Sequence, residues 1–321
     1  MTQFSLNRYA KFAWSVLAYN ILVILWGAVV RATKSGAGCG SHWPSCNGEI
    51  VPLSAPVETM IEFTHRLSSG IALLLVAAIL VWAFRAYPKG HRVRFGASLS
   101  SIFIITEALV GASLVLFGWV AEDESLGRTI SISIHLVNTF LLLGSLCLTA
   151  WWASGGEWVY LSGQGFTVIA LTIGVFGMLV LGVTGAITAL GDTLFPSNTL
   201  AEGIREDFSP NAHFLVRLRV WHPVIAITVG FYLSFVAGLL AMLRSNPILK
   251  RITMILIGLY LAQLAAGIIN LILMAPVWMQ VIHLLLADLV WISFVLFSAV
   301  ALAASGETVE APGSKPVLAE E

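Results

Sequence analysis

Four histidines occupy matching places in four separate apolar segments of this chain, and imidazole is a side chain that binds metal ions. They are His65, His135, His222 and His283, and each lies near the start of a long apolar segment. If those segments cross a membrane in the same direction, the four imidazoles lie in one layer near one membrane face. An ionisable side chain within a membrane is costly and marks a functional position. Such a layer can bind a metal ion or heme iron, or it can supply hydrogen bonds between helices.

The four histidines divide into two pairs, one in each half of the chain. Pairing His65 with His135, and His222 with His283, gives each half two imidazoles that can face each other across a four-helix bundle. That arrangement is typical of a six-coordinate heme. Interhelical hydrogen bonding explains a single membrane histidine well, but it explains poorly four histidines at one depth on alternate helices. We therefore expect both pairs to ligate heme iron.

Glu107 and Asp288 are two further ionisable side chains expected within the membrane. We expect both to lie one or more helical turns deeper than the histidines, which disfavours a non-heme metal site built from histidines and carboxylates. Asp288 has Phe140 at the matching place in the first half, and the sequence assigns it no role.

The side chains beside the first and third histidines differ in charge. Glu62 lies three residues before His65, on the same face of a helix, and Arg66 follows that histidine directly. Arg219 lies three residues before His222. A carboxylate near a heme edge can move protons or stabilise positive charge, whereas a guanidinium suits a heme propionate. We therefore expect Glu62 to be catalytic, Arg66 and Arg219 to contact the cofactors, and the second half to relay electrons.

A loop rich in glycine and proline between the first two segments contains Cys39 and Cys46. Two cysteines so close together on an oxidising side of a membrane most simply form a disulfide. A metal site made of Cys39, His42 and Cys46 is disfavoured because no fourth ligand is evident. The pair is either structural or exchanges electrons with an external thiol protein. Cys147, alone in the fourth segment, is expected to be a small buried apolar residue.

The composition indicates a polytopic membrane protein. Of its 321 residues 58% are hydrophobic and 11% charged, and the mean hydropathy is +0.90, which a soluble domain of this length does not accommodate. The formal net charge of zero gives no indication of a nucleic-acid partner. Eight segments are long enough to cross about 30 Å of hydrocarbon. They are residues 12–30, 67–84, 95–120, 130–152, 166–190, 220–243, 252–274 and 281–304.

Basic residues cluster before the first span, between the second and third, and between the sixth and seventh. By the positive-inside rule these loops are cytoplasmic. Both termini are then expected in the cytoplasm of a cell whose plasma membrane holds the protein, with the histidine layer and the cysteine loop on the outer side. The basic residues are Arg8, Lys11, Arg85, Lys89, Arg92, Arg94, Arg244, Lys250 and Arg251.

The two halves of the chain repeat each other. A Gly-Ala-Val triplet beginning at Gly27 matches a Gly-Ala-Ile triplet beginning at Gly185, each at nearly the same distance before a histidine. Glu107 and Gln263 each precede a glycine by about one helical turn. Because each unit has an even number of spans, the two copies share one topology, with a pseudo-two-fold axis along the membrane normal.

The predicted fold class is therefore an all-α membrane protein with eight transmembrane helices arranged as two tandem four-helix bundles. Residues 1–153 are expected to form the N-terminal bundle, which carries the chemistry, and residues 154–305 the C-terminal bundle, which relays electrons. Residues 306–321 are expected to be a cytoplasmic tail without fixed structure.

The sequence resembles heme A synthase of bacterial plasma membranes over nearly its whole length. The resemblance implies an oxidoreductase that converts the ring methyl group of heme O into the formyl group of heme A, for assembly of a terminal oxidase. It also implies the lipid bilayer, heme O synthase and oxidase assembly factors as partners. The motifs that carry it are the Cys39–Cys46 loop with Trp43-Pro44, the Glu62-Phe63-Thr64-His65-Arg66 run, and His135, His222 and His283.

The resemblance also assigns roles to the candidate site residues. It implies heme O as substrate between His65 and His135, and a resident heme b between His222 and His283. Glu62 is implied as the catalytic carboxylate, and the loop cysteines are implied as a redox-linked disulfide. The chain departs from the family pattern where a proline, rather than the usual arginine, follows His222.

Two other classes of protein fit part of the pattern. A membrane b-type cytochrome that only transfers electrons explains both histidine pairs, but not the difference between Glu62 and Arg219. A transporter with structural histidines explains the repeat alone. Within the enzyme class, two bound histidines leave the iron no open position for O₂, so either one histidine leaves or water adds after electron loss from the macrocycle. The sequence does not choose between these two routes.

Overall fold

The computed structural model describes residues 6–53 and 55–303, which fold mainly as α-helices. Eight helical spans are long and apolar enough to cross a membrane, which confirms the predicted class and number of spans. The expected tail at 306–321 lies outside the described residues. The spans are α1 (Arg8–Ala32), α2 (Val57–Ala86), α3 (Arg92–Leu116), α4 (Leu126–Ala153), α5 (Gly165–Leu194), α7 followed by α8 (Phe214–Leu218 and Trp221–Leu243), α9 (Pro247–Ile272) and α10 (Val277–Leu302), and the short helix α6 is Leu200–Asp207.

Helix α2 begins well before its predicted boundary. It starts at Val57, whereas the apolar pattern predicted a span from residue 67. Pro56 precedes the first turn and an acidic residue lies within that turn, and both are typical of a helix N-terminus. The helix therefore continues through polar residues beyond the apolar stretch. As a result Glu62, His65 and Arg66 lie inside a helix, at spacings that bring their side chains close together.

Each set of four spans closes into a ring of neighbouring helices. In the first half α1 and α3 both contact α2 and α4, and in the second half α5 and α9 both contact α8 and α10. The same order of contacts in both halves agrees with two tandem four-helix bundles. The symmetry axis and the domain boundary near residue 153 stay predictions.

Helices α4 and α10 lie at the centre of the protein. Within an 18-residue apolar stretch of each of these helices, 56% of the residues are buried, against 22% in α2 and 39% in the span that contains α8. The two central helices contact each other across the halves, and both also contact α1 and α5. Trp291 of α10 stacks on Phe140 of α4 with ring centres 5.1 Å apart, and its Nε1 donates a hydrogen bond to the Phe140 carbonyl.

Arg31, near the end of α1, ties the first half to the second. Its Nη1 donates hydrogen bonds of 2.7 Å to the Ala189 carbonyl and to Oγ1 of Thr193, both on α5. Its Nη2 donates to Oε1 of Gln280 on α10 at 2.8 Å. The two halves are therefore joined by an apolar contact between the central helices and by a polar contact at the end that carries the histidines.

Replacing Trp291 by alanine is expected to destabilise the protein by about 3–5 kcal/mol, because loss of a large buried aromatic leaves a cavity between the halves. Trp291→Phe keeps an aromatic ring and loses the hydrogen bond to Phe140, which is expected to cost about 1 kcal/mol. Thermal unfolding in detergent, followed by circular dichroism, measures both changes.

The control for this prediction is Phe176→Ala, because the Phe176 side chain is 68% exposed at the outer surface of the bundle. Its removal is expected to change stability by less than about 0.5 kcal/mol. Equal unfolding temperatures for Trp291→Ala and Phe176→Ala would contradict the contribution assigned to the contact between the halves.

Candidate functional site

The imidazoles of the first half each lie against a glycine of the preceding helix. A Cβ atom at Gly27 of α1 would lie 2.9 Å from Cε1 of His65 in α2, which is too close for ordinary packing. A Cβ atom at Gly111 of α3 would lie 3.9 Å from Nε2 of His135 in α4, at van der Waals distance. Glycine therefore leaves the room in which each ring packs against the neighbouring helix.

The second half repeats this arrangement. A Cβ atom at Gly185 of α5 would lie 3.0 Å from Cε1 of His222 in α8, and one at Gly267 of α9 would lie 3.1 Å from Cε1 of His283 in α10. These glycines are the ones that the sequence repeat matches to their counterparts in the first half. All four histidines therefore face a glycine of the preceding helix, and at three of them, His65, His222 and His283, the packing is too close for an added Cβ atom to fit without movement.

The spacing of the second pair fits two axial ligands of one iron. The ring centres of His222 and His283 are 6.3 Å apart, with the ring planes at 85°. Two metal–nitrogen bonds of about 2 Å together with the ring radii place the centres on the order of 6 Å apart. Nδ1 of His65 and Nδ1 of His283 are buried without a hydrogen-bond partner among the described residues. Both pairs therefore offer imidazoles whose ring nitrogens are not fully used within the protein.

No three His, Cys, Asp or Glu side chains converge on one metal position in the part of the chain that the structure describes. A heme needs only two protein ligands, because the porphyrin supplies the others. The arrangement of the histidines therefore fits axial ligation of heme better than a metal site made of side chains alone.

Glu107 lies directly against one of the histidines, a contact that the sequence analysis did not predict. Oε1 of Glu107 is 3.1 Å from Nδ1 of His135. Oε2 accepts a hydrogen bond of 2.5 Å from Nδ2 of Asn138, and Oε1 accepts one from Oγ1 of Thr139. The contact was missed because helix positions give the depth of the backbone, whereas a glutamate and a histidine on packed neighbouring helices can reach toward each other.

The second half places neutral side chains beside its histidines. Nε2 of Gln263 on α9 is 3.2 Å from Nε2 of His283, and Gln263 is the repeat counterpart of Glu107. Oγ1 of Thr184 on α5 is 3.3 Å from Nδ1 of His222. Polar contacts of this kind orient a ligating imidazole and fix which ring nitrogen is free.

Glu62 is buried and both of its carboxylate oxygens accept hydrogen bonds. Oε2 accepts from the backbone N–H of Cys39 at 2.8 Å. Oε1 accepts from Nη2 and Nε of Arg66 at 2.5 and 3.1 Å. The carboxylate is therefore held by a loop on one side and by its own helix on the other.

The cysteine loop is tied to this carboxylate. Cys39 and Cys46 are bonded as a disulfide, and so they are not free to bind a metal. Arg66 donates hydrogen bonds of 2.6 and 2.7 Å to the carbonyls of His42 and Ser45, inside the ring that the disulfide closes. The loop and Glu62 form one hydrogen-bonded unit. Elsewhere, Cys147 is free and buried, as predicted.

Arg219 is held by two carboxylates that sequence reasoning did not identify. Its Nη1 lies 3.0 Å from Oδ1 of Asp192 at the end of α5, and its Nε lies 2.9 Å from Oδ1 of Asp207 in α6. Burial raises the pKa of the Asp207 carboxyl above its ordinary value, and Arg219 counteracts that rise. Nη2 of Arg219 is buried and has no hydrogen-bond partner among the described residues. The acidic residues in the outer segments were the available signal for these ion pairs.

Asp288 of α10 is fully buried. Both of its carboxylate oxygens lack a hydrogen-bond partner within the described residues. It lies about one helical turn beyond His283, on the central helix of the second half.

Residues 10–295 match the family described as cytochrome oxidase assembly protein. A Thermus thermophilus protein named Protoheme IX farnesyltransferase is 54% identical over 304 residues, which are 95% of this chain and 50% of that protein. An Exiguobacterium protein named Heme A synthase is 37% identical over 137 residues, 43% of this chain and 45% of that protein. A Shouchella clausii protein of the same name is 45% identical over 98 residues, 30% of this chain and 33% of that protein.

These similarities agree with the family that the sequence motifs indicated. The chain spans about half the length, or less, of these relatives. The family match, in contrast, runs from α1 into α10 and includes all four histidines and the disulfide loop. The chain belongs to the COX15-CtaA family of cytochrome oxidase assembly proteins.

Proposed function

We propose that this chain is a heme A synthase, which oxidises the ring methyl group of heme O to a formyl group for terminal oxidase assembly. Family membership and the relatives named Heme A synthase support a role in heme A biosynthesis. The observation that carries the specific reaction is Glu62, a buried carboxylate beside a histidine of the first pair. The second pair has Arg219 at the matching place. A protein that only transfers electrons has no need of this difference.

The name of the Thermus thermophilus relative describes a different reaction, the transfer of a farnesyl group. The matched region is 50% of that protein. We assign farnesyl transfer to the part of that relative which this chain does not cover, and methyl oxidation to the matched part.

In this proposal His65 and His135 hold heme O as substrate, and His222 and His283 hold heme b. When bound, heme b accepts and passes on single electrons. Nη2 of Arg219, which has no partner among the described residues, is the donor best placed for a heme propionate. We place the histidine layer and the disulfide loop on the outer face of the cell membrane, following the distribution of basic residues.

Glu62 serves as the proton acceptor beside the substrate. Oε1 already accepts two hydrogen bonds from Arg66, and Oε2 accepts one from Cys39. A carboxylate oxygen has two acceptor positions, so Oε2 keeps one position that can hold a proton. Arg66 and the disulfide loop position the carboxylate, and an additional contact of Arg66 with a propionate stays a prediction.

Glu62→Gln tests the proposed role, because glutamine keeps the size of the side chain and removes its charge. With a supply of heme O in the producing cells, heme A formation is expected to fall by about 10² to 10⁴ in rate, the usual contribution of a general acid or base. Heme b should stay bound. Extraction and chromatography of the hemes measure both outcomes.

The matched control is Arg219→Gln, which is expected to weaken heme b retention without stopping heme A formation at heme O. A normal heme A yield from Glu62→Gln would favour a b-type cytochrome that only transfers electrons. Formation of heme O from protoheme by this chain alone would contradict the assignment of farnesyl transfer to the other part of the Thermus thermophilus protein.

Gly185→Ala tests whether His222 holds heme b in the position that the structure gives its ring. The added Cβ would lie 3.0 Å from Cε1 of His222, so the ring must move. Heme b retention is expected to weaken about tenfold, the scale of changes next to a metal ligand. The Soret band per protein measures heme content, and His222→Ala gives the largest loss.

Gly238→Ala in α8 is the control, because a Cβ atom at Gly238 meets nothing within 4 Å. It is expected to retain heme b like the unaltered protein. Full heme b content in Gly185→Ala and His222→Ala, with unchanged low-spin spectra, would contradict ligation by this pair.

A further inference from the structure

Glu107 and Gln263 occupy matching places in the two halves but differ in charge. Glu107 lies 3.1 Å from a ring nitrogen of His135, and Gln263 lies 3.2 Å from a ring nitrogen of His283. The repeat therefore keeps a polar contact to the histidine of the central helix, an acid at Nδ1 of His135 in the first half and an amide at Nε2 of His283 in the second.

The Glu107 carboxylate is fixed by its surroundings. Asn138 donates to one oxygen at 2.5 Å, Thr139 donates to the other, and Asn138 is itself held by a hydrogen bond of 2.8 Å to the Phe103 carbonyl. Among the described residues, His135 is the one basic side chain at ion-pair distance from Glu107. Two donors thus hold this carboxylate, with the His135 ring at ion-pair distance from it.

Three other carboxylates near the histidines are already paired with arginine, and Asp288 has no partner among the described residues. Glu62 is paired with Arg66, and Asp192 and Asp207 are paired with Arg219. Their charges are therefore largely offset within the protein. The negative charge of Glu107 faces the imidazole of His135 instead, without a guanidinium beside it among the described residues.

A carboxylate against the second nitrogen of a ligating histidine orients the ring and makes it a more electron-donating ligand. Such a ligand stabilises oxidised iron, and hydrogen bonding of axial ligands is one of the means by which proteins set heme potentials. We propose that Glu107 is a positioning residue that lowers the reduction potential of the first site relative to the second. The proposal rests on heme binding by both pairs, as in the proposed function.

The consequence is a direction for electron transfer. With heme bound at both sites, this difference would favour loss of one electron from iron held by His65 and His135 and gain of that electron by iron held by His222 and His283. No proton and no covalent bond needs to move in this step. Oxidation of a substrate in the first half is thereby coupled to electron removal through the second half.

Reciprocal exchange of the two residues tests this proposal. In purified full-length protein with bound heme, Glu107→Gln is expected to raise the ferrous-to-ferric ratio of the first site about tenfold at a fixed potential, a shift of about +59 mV for one electron. The second site should not change. Gln263→Glu is expected to shift the second site by a similar amount in the opposite direction. Optical redox titration measures both shifts. The His222→Ala background removes a ligand of the second site, so the first site is measured alone. The His65→Ala background isolates the second site in the same way.

Unchanged potentials in both exchanged variants, or a shift at the wrong site, would overturn the proposal. If Glu107→Gln loses heme from the first site, Gln263→Glu alone decides, because a lower potential at the second site supports the proposal and an unchanged one overturns it. Absence of heme from both pairs would overturn this proposal together with the proposed function. Shifted potentials without any heme A formation would support this proposal and contradict the proposed function.

Discussion

Packing of an imidazole against a glycine, repeated four times, is the contact on which the arrangement of this protein depends. At Gly27, Gly185 and Gly267 the glycine lets the histidine of the next helix approach the backbone where a side chain would otherwise lie, and at Gly111 the approach is looser. The ring is then held between two helices at a defined depth, with polar neighbours that satisfy part of its hydrogen-bonding capacity. Water cannot supply hydrogen bonds in hydrocarbon, so ring positions in which protein groups bond the ring nitrogens are favoured. Helix spacing and ligand placement are therefore set by the same contact.

Much of this arrangement follows from the sequence, because apolar length, the positions of the histidines and the repeated glycines are all local patterns. The disulfide was predictable for the same reason. The contact between Glu107 and His135 was not, since it depends on how side chains of two packed helices reach toward each other. The pairing of Arg219 with Asp192 and Asp207 depends likewise on the fold of the segment that contains α6. The early start of α2 was missed because apolar patterns do not show how far a helix continues into polar sequence.

The arginine beside the histidine has a comparable structural task in each half, although its neighbours differ. Arg66 binds the carbonyls of the disulfide loop and the Glu62 carboxylate. Arg219 binds one carboxylate from α5 and one from α6. In both halves a guanidinium fastens the connecting segment over the end of the bundle. In the first half the segment that Arg66 binds is also closed by the Cys39–Cys46 disulfide. The Glu62 carboxylate is therefore positioned by a backbone that has little freedom to rearrange.

The two histidines of each pair stand on helices that differ in burial. His135 and His283 are on the central helices α4 and α10, where 56% of the apolar stretch is buried, whereas His65 is on α2, where the share is 22%. Helix α4 also contacts α5 and α10 of the second half, so displacing it would disturb the boundary between the halves, whereas α2 packs against α1 and α3 of its own half. Whatever binds between His65 and His135 would therefore have that boundary as its inner wall and a less buried helix as its outer wall.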